Sequence, residues 1–306
     1  MLDRTAPATS TESAGDQAAA RRGFLFALSA YLLWGFLPLY MKAVAHVPPL
    51  EIVAHRIVWS VPVAGLVLLA LGRTADIAAA FRSPRTLAMA ALTAAIITVN
   101  WGVYVWAIAV DRTVETALGY YINPLVTVLL GATLLGERLD RLQIVAIALA
   151  VLAVVVLTVD AGGLPWVSLV LAFSFAAYGY LRKTLPVGPS QGFFLEVLIL
   201  SGPCLAYLVW LQMAGEGHFL DSGGNVGLLL LAGPVTAVPL ILYAFGAKLL
   251  RISTIGIMQY IAPTMIALIG VLVFGEPFGP GRMAAFALIW AALALYTWSM
   301  VFGKKA

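Results

Sequence analysis

Ten long apolar runs follow one another along the chain, at residues 23–42, 50–71, 87–110, 114–135, 142–160, 164–181, 190–212, 226–247, 252–275 and 282–302. Each is close to the ~20 residues that cross a hydrocarbon layer roughly 30 Å thick. None shows the two-residue alternation of a lipid-facing barrel strand. Backbone in lipid must satisfy its own hydrogen bonds, so each run predicts an α-helix. The expected fold class is all-α integral membrane, with ten transmembrane helices.

Composition narrows the picture further. Of the 306 residues, 62% are hydrophobic and only 10% are charged, which excludes an ordinary water-soluble domain. Residues 1–22 are small, polar and unpatterned and are expected to form a disordered cytoplasmic tail. The run at 23–42 is too long for a signal-peptide core and ends without a small-x-small cleavage pattern, so it is kept as the first helix. The single cysteine, Cys204, excludes an intramolecular disulfide framework.

Cytoplasmic loops carry an excess of Lys and Arg. With the N-terminus in the cytoplasm, every Lys and Arg except Lys42, Arg56, Arg112 and Arg282 falls on that side. Both termini are therefore expected in the cytoplasm. The basic balance then reflects topology and contact with anionic lipid, and no basic patch interleaved with aromatics points to nucleic acid.

Residues 98–137 match residues 237–276 without gaps at an offset of 139, with ten identities in 40 positions. Tyr104 meets Tyr243, Arg112 meets Arg251, YINP (121–124) meets YIAP (260–263), Gly131 meets Gly270 and Glu137 meets Glu276. Each half then holds five helices, residues 23–160 and 164–302. An odd number makes the second half enter the membrane from the opposite side. Inverted repeats of this kind are an architecture of secondary transporters, with the binding site near the midplane between the halves.

The chain also resembles a known family. The segments AYLLWG (30–35), EIVAHRIVWS (51–60), Asn100–Trp101, LGYYINPLV (118–126), LGERL (135–139), LAFSFAAYG (171–179) and QYIAPT (259–264) are similar to those of the drug/metabolite transporter superfamily with paired EamA-type halves, and within it of the RarD group. The resemblance spans nearly the whole chain after the tail. It implies a bacterial inner-membrane permease or exporter of small metabolites, in a group linked by name to chloramphenicol sensitivity.

Helical spacing places Asn100 and Tyr104 on one face of the third run, with Tyr120 and Asn123 on a similar face of the fourth. Pro124 and Pro263 each free a carbonyl inside a membrane helix, the second beside Gln259 and Tyr260. Asn100, Tyr104, Asn123, Tyr243, Gln259 and Tyr260 are therefore expected to form the polar and aromatic wall of a central cavity. The competing reading is that Asn and Tyr hold helices together through hydrogen bonds averaging under about 1 kcal/mol.

Three ionisable residues lie deeper in apolar runs than their cost allows without a purpose. Arg56 lies about 9 Å along the second run at 1.5 Å per residue. It could hold an anionic or carboxylate-bearing substrate, while His55 and Glu196 could carry a proton. For Arg56 and His55 the alternative is capping or snorkelling near the outer interface. Sequence register aligns Arg56 with Glu196, yet helices entering from opposite faces leave on the order of 10 Å between their levels, which argues against a direct ion pair. Glu137 and Glu276, each after a glycine, are expected at helix ends, and Trp166, Trp210 and Trp298 as interfacial anchors.

An intramembrane enzyme finds little support: the chain has no H-E-x-x-H and no glycine-rich phosphate loop, and its three histidines lack ligand spacing. No output domain favours a sensor or scaffold. The expectation is a secondary transporter of small molecules with no cofactor and no metal, working by alternating access, with proton coupling and with Pro38, Gly131, Pro239 and Gly270 easing the bends.

Overall fold

The computed structural model describes residues 14–135, 139–250, 254, 255 and 258–302. Arg4, Glu137, Arg138, Arg251, Lys304 and Lys305 lie outside the described residues. The described chain is helical throughout, with short connections. In chain order the helices are α1 (Ala14–Ala43), α2 (Pro49–Ala70), α3 (Ala75–Phe81), α4 (Pro84–Ala109), α5 (Thr113–Leu135), α6 (Arg141–Asp160), α7 (Trp166–Thr184), α8 (Pro189–Ala214), α9 (Gly223–Leu249), α10 (Ile261–Leu268), which runs on into a π-helical turn at Ile269–Val273, and α11 (Pro280–Phe302). Eight of these, all but α3, α7 and α10, are long and apolar enough to cross a membrane, and α7 and α10 are shorter apolar helices.

Local chemistry explains where the helices begin. Pro49, Pro84 and Pro189 occupy first-turn positions, where a missing N–H costs nothing. The Ser83 and Ser222 hydroxyls accept from the N–H groups of Thr86 and Asn225, and Asp140 with Gln143 forms a capping box at α6. Gly215 ends α8 in the left-handed region at φ 73°, where a side chain would be strained. α1 reaches back to Ala14, into the segment expected to be tail, because AGDQAAARRG is rich in strong helix formers.

The exterior is apolar: Leu66, Val159, Met213 and Leu272 are all more than half exposed. Glu51, Arg56, Asn100 and Glu196 are buried instead. A water-soluble domain has the reverse arrangement, so this surface is suited to lipid.

α2 packs on α8 and α9, α8 also on α4, α1 on α9 and α10, α7 on α4 and α5, α5 on α10, and α6 on α11. Residues 51–57 of α2 are buried on every side, and residues 191–197 of α8 are buried apart from the half-buried Phe194. The opening turns of both helices thus run inside protein, which is why ionisable residues are tolerated there. Close approach of α2 to α9 depends on Gly233, where a Cβ would lie 2.7 Å from that of Trp59.

Candidate functional site

Arg56 stands where α2, α4 and α9 converge. Its Nε donates to the Thr236 hydroxyl at 3.0 Å, and its guanidinium lies 4.8 Å from the centre of the Trp101 ring. Thr236 in turn donates to the Ala232 carbonyl at 2.8 Å, so its hydroxyl is held with a lone pair toward the arginine. Ser60 donates to the Arg56 carbonyl at 2.6 Å and stiffens the same turn. Nη1 is buried and has no hydrogen-bond partner among the described residues.

Tyr104 and Tyr120 continue this group, with ring centres 5.8 Å apart. Asn100 donates to the Leu171 carbonyl at 3.1 Å and to Ser174 at 2.9 Å, both on α7, and accepts from Tyr120 at 3.3 Å. Asn100 thus links α4 to α7. Tyr104 is buried and its hydroxyl has no partner among the described residues.

Glu196 occupies a second centre. Its carboxylate accepts from Thr93 at 2.8 Å and Tyr178 at 3.0 Å, and lies 3.4 Å from Arg182. Arg56 and Glu196 therefore have separate partners, as the depth of their positions predicts. A third centre surrounds His55. Trp59 Nε1 can only donate, so His55 Nδ1 accepts from it at 3.1 Å. Nε2 faces Glu51 at 3.9 Å, and the ring stacks on Phe219 at 5.0 Å.

The remaining sequence candidates lie in other settings. Tyr243 packs against Trp34 and Tyr31 of α1, at 5.7 and 6.0 Å. Tyr260 stacks on Tyr121 at 6.4 Å. Asn123 is half-buried and accepts from Thr127 one turn on. The structure thus gathers Arg56, Asn100 and Tyr104 and places the others apart. Thr236, Trp101, Thr93, Tyr178 and Arg182 are partners that spacing within one helix could not reveal. So is His218, whose N–H and Nδ1 both reach Glu51.

Two comparisons bear on family. The profile of the EamA-like transporter family matches residues 21–159. The chain is 45% identical over 279 residues to "Protein RarD" of Streptomyces exfoliatus, covering 91% of this chain and 89% of that one. This chain belongs to the RarD-type EamA transporters. A second relative of this RarD-type protein, "Uncharacterized transporter YojE" of Bacillus subtilis (strain 168), is 41% identical, with 94% of this chain and 98% of the relative covered. A solved crystal structure shares its fold at a TM-score of 0.58 and 23% identity, covering 92% of this chain and 96% of that chain. The RarD-type chain is a multi-pass membrane transporter of the drug/metabolite kind.

Proposed function

We propose that the protein is a secondary active transporter of small metabolites or drug-like molecules in the bacterial inner membrane. Ten spans form two five-helix halves, residues 23–160 and 164–302, inserted in opposite orientations and working by alternating access. The observation that carries this reading is the pairing of Tyr121 with Tyr260. These residues are equivalent at the repeat offset of 139, and their rings stack at 25°. The same exchange maps α2 onto α8, α5 onto α10 and α6 onto α11, and each of these pairs is in contact. It also turns the α1–α9 contact into the α7–α4 contact, and α2–α9 into α8–α4. A two-fold axis in the membrane plane accounts for all of these contacts together. Both termini lie in the cytoplasm, as the Lys and Arg distribution indicates.

Asn100, Tyr104, Asn123, Tyr243, Gln259, Tyr260 and Arg56 serve substrate passage in this reading, and Glu196 and His55 serve proton coupling. At Glu196 every polar contact among the described residues is a donor: two hydroxyls and a guanidinium. That set suits the carboxylate. A proton arriving on Glu196 would weaken the attraction to Arg182 and release α7 from α8, which links protonation to a change in helix packing. Counterflow in proteoliposomes, over amino acids, nucleosides, sugars and phenicols, with and without a pH gradient, tests the proposal. Wild-type protein is expected to move one class faster with the gradient, and Glu196→Gln to lose the gradient effect. Unchanged proton-coupled flux in Glu196→Gln would refute the proton role, and absence of flux for every class would refute transport.

A further inference from the structure

The described residues hold one buried cation without an anion. Glu51 and Glu276 both have their oxygens occupied by N–H donors, and Glu196 has two hydroxyls and Arg182. Arg56, 3% exposed, has no carboxylate within 4.0 Å among the described residues. Among the described residues its Nη1 has no acceptor and the Tyr104 hydroxyl has no hydrogen-bond partner. Trp101, over which its guanidinium lies, is one helical turn before Tyr104 on α4. Arginine offers no acceptor of its own and keeps its charge, so nothing within this group can neutralise it. A buried charge left in this state is costly, which implies that something else supplies the anion for part of the working cycle.

We propose that Arg56 and Tyr104 form a subsite for the carboxylate of the transported molecule; this deepens the transporter reading and rests on it. Three features select a carboxylate. The local charge is a single positive one, so a monoanion neutralises it, whereas a phosphate dianion would leave negative charge in a low-dielectric setting. The guanidinium edge offers parallel N–H groups that match a planar carboxylate. Trp101 on its face and Thr236 on Nε fix the plane, so the remaining edge is presented in one orientation. The Tyr104 hydroxyl supplies a further donor from α4, and the Tyr120 ring beside it gives the rest of the molecule an apolar and aromatic wall.

The test is thermal stabilisation of the purified, detergent-solubilised protein by the N-acetyl derivatives of Leu, Phe, Trp and Met, each as free acid and as amide, with inorganic phosphate alongside. The acids are expected to raise the melting temperature of the wild type, and the amides and phosphate to leave it unchanged. Tyr104→Phe removes a hydroxyl with no partner, so it should fold as the wild type does and bind the acids about tenfold more weakly. Arg56→Gln should abolish the shift, and if that variant does not fold, Tyr104→Phe decides. Equal stabilisation by acids and amides, no stabilisation by any acid, or wild-type binding in Tyr104→Phe would overturn the subsite. Proteoliposome flux judges the other reading separately. Exchange of neutral solutes without acid binding leaves the carrier standing and removes the subsite, whereas acid binding without any flux retains the subsite and removes the carrier.

Discussion

Glu51 of α2 holds His218, 167 residues further on, by accepting two hydrogen bonds of 2.8 Å: one from the backbone N–H and one from ring Nδ1–H. His218 lies in the α8–α9 connection and passes the restraint on, since its carbonyl accepts from Asn225 at 2.9 Å and Asn225 Oδ1 meets His46 Nε2 at 2.9 Å. The connection is thus strapped over the start of α2, and Phe219 is laid on the His55 and Trp59 rings.

Replacing Glu51 by Ala should therefore destabilise the protein by about 2–3 kcal/mol, because two donors lose their acceptor at a buried site. Glu51→Gln should cost less. Its carboxamide oxygen can still accept the backbone N–H, and its NH2 can donate to Nδ1 once the ring changes tautomer. Melting in detergent should rank wild type above Gln and Gln above Ala, and equal losses for the two variants would show that these bonds do not hold the strap.

Glu276 performs a different kind of fastening. Its oxygens accept from the N–H groups of Thr113 and Val114 at 2.5 and 2.9 Å, so a carboxylate from beyond α10 caps the first turn of α5. Negative charge there also complements the helix dipole. Glu276→Gln keeps one acceptor and loses the charge, and about 1–2 kcal/mol of stability should go with it. Differential scanning fluorimetry checks this against Glu216→Gln, an exposed control expected to change nothing.

Gly233 separates packing from helix propensity. An added methyl there meets the Trp59 backbone and Cβ, whereas at Gly227 on the same helix it meets nothing within 4 Å. Gly233→Ala should force α2 and α9 apart, break the Arg56–Thr236 bond and sharply lower the yield of monodisperse protein. Gly227→Ala should be neutral or stabilising by up to about 1 kcal/mol. Similar behaviour of the two would mean that the close approach at Trp59 is unimportant.

Asp140 gives a pH dependence outside the membrane segments. The Ser299 hydroxyl and then the Gln143 backbone N–H donate to its carboxylate, holding its carboxyl below the usual carboxylate range. The folded value is lower than the unfolded one, so the contribution is complete above about pH 5 and is lost as pH falls through the folded value. The melting-temperature difference between wild type and Asp140→Asn should therefore be constant above about pH 5 and shrink on acidification toward pH 3. A difference that grows on acidification would contradict the assignment.

The positions of the eight membrane-length helices are legible in the amino-acid sequence alone, because lipid imposes a length and an apolar composition on every helix that crosses it, whereas that of the short α3 is not. Glu276 at a helix end is legible from the glycine that precedes it, although the helix it caps is not. The run at 252–275 is less legible. Its described part divides at Ile261 and closes in a π turn, and hydropathy does not distinguish an unbroken helix from an interrupted one.

Within one helix, spacing groups Asn100 with Tyr104 and singles out Arg56, His55 and Glu196 as residues too polar for their surroundings. Their partners are beyond its reach. Arg56 meets Thr236 at a separation of 180 residues, Glu196 meets Thr93 at 103, and Glu51 meets His218 at 167. Hydrophobicity decides that a segment enters the membrane, since that depends on the segment's own composition. Which buried donor meets which acceptor depends on how helices far apart in the chain pack, and that is settled only when small residues such as Gly233 let them come together.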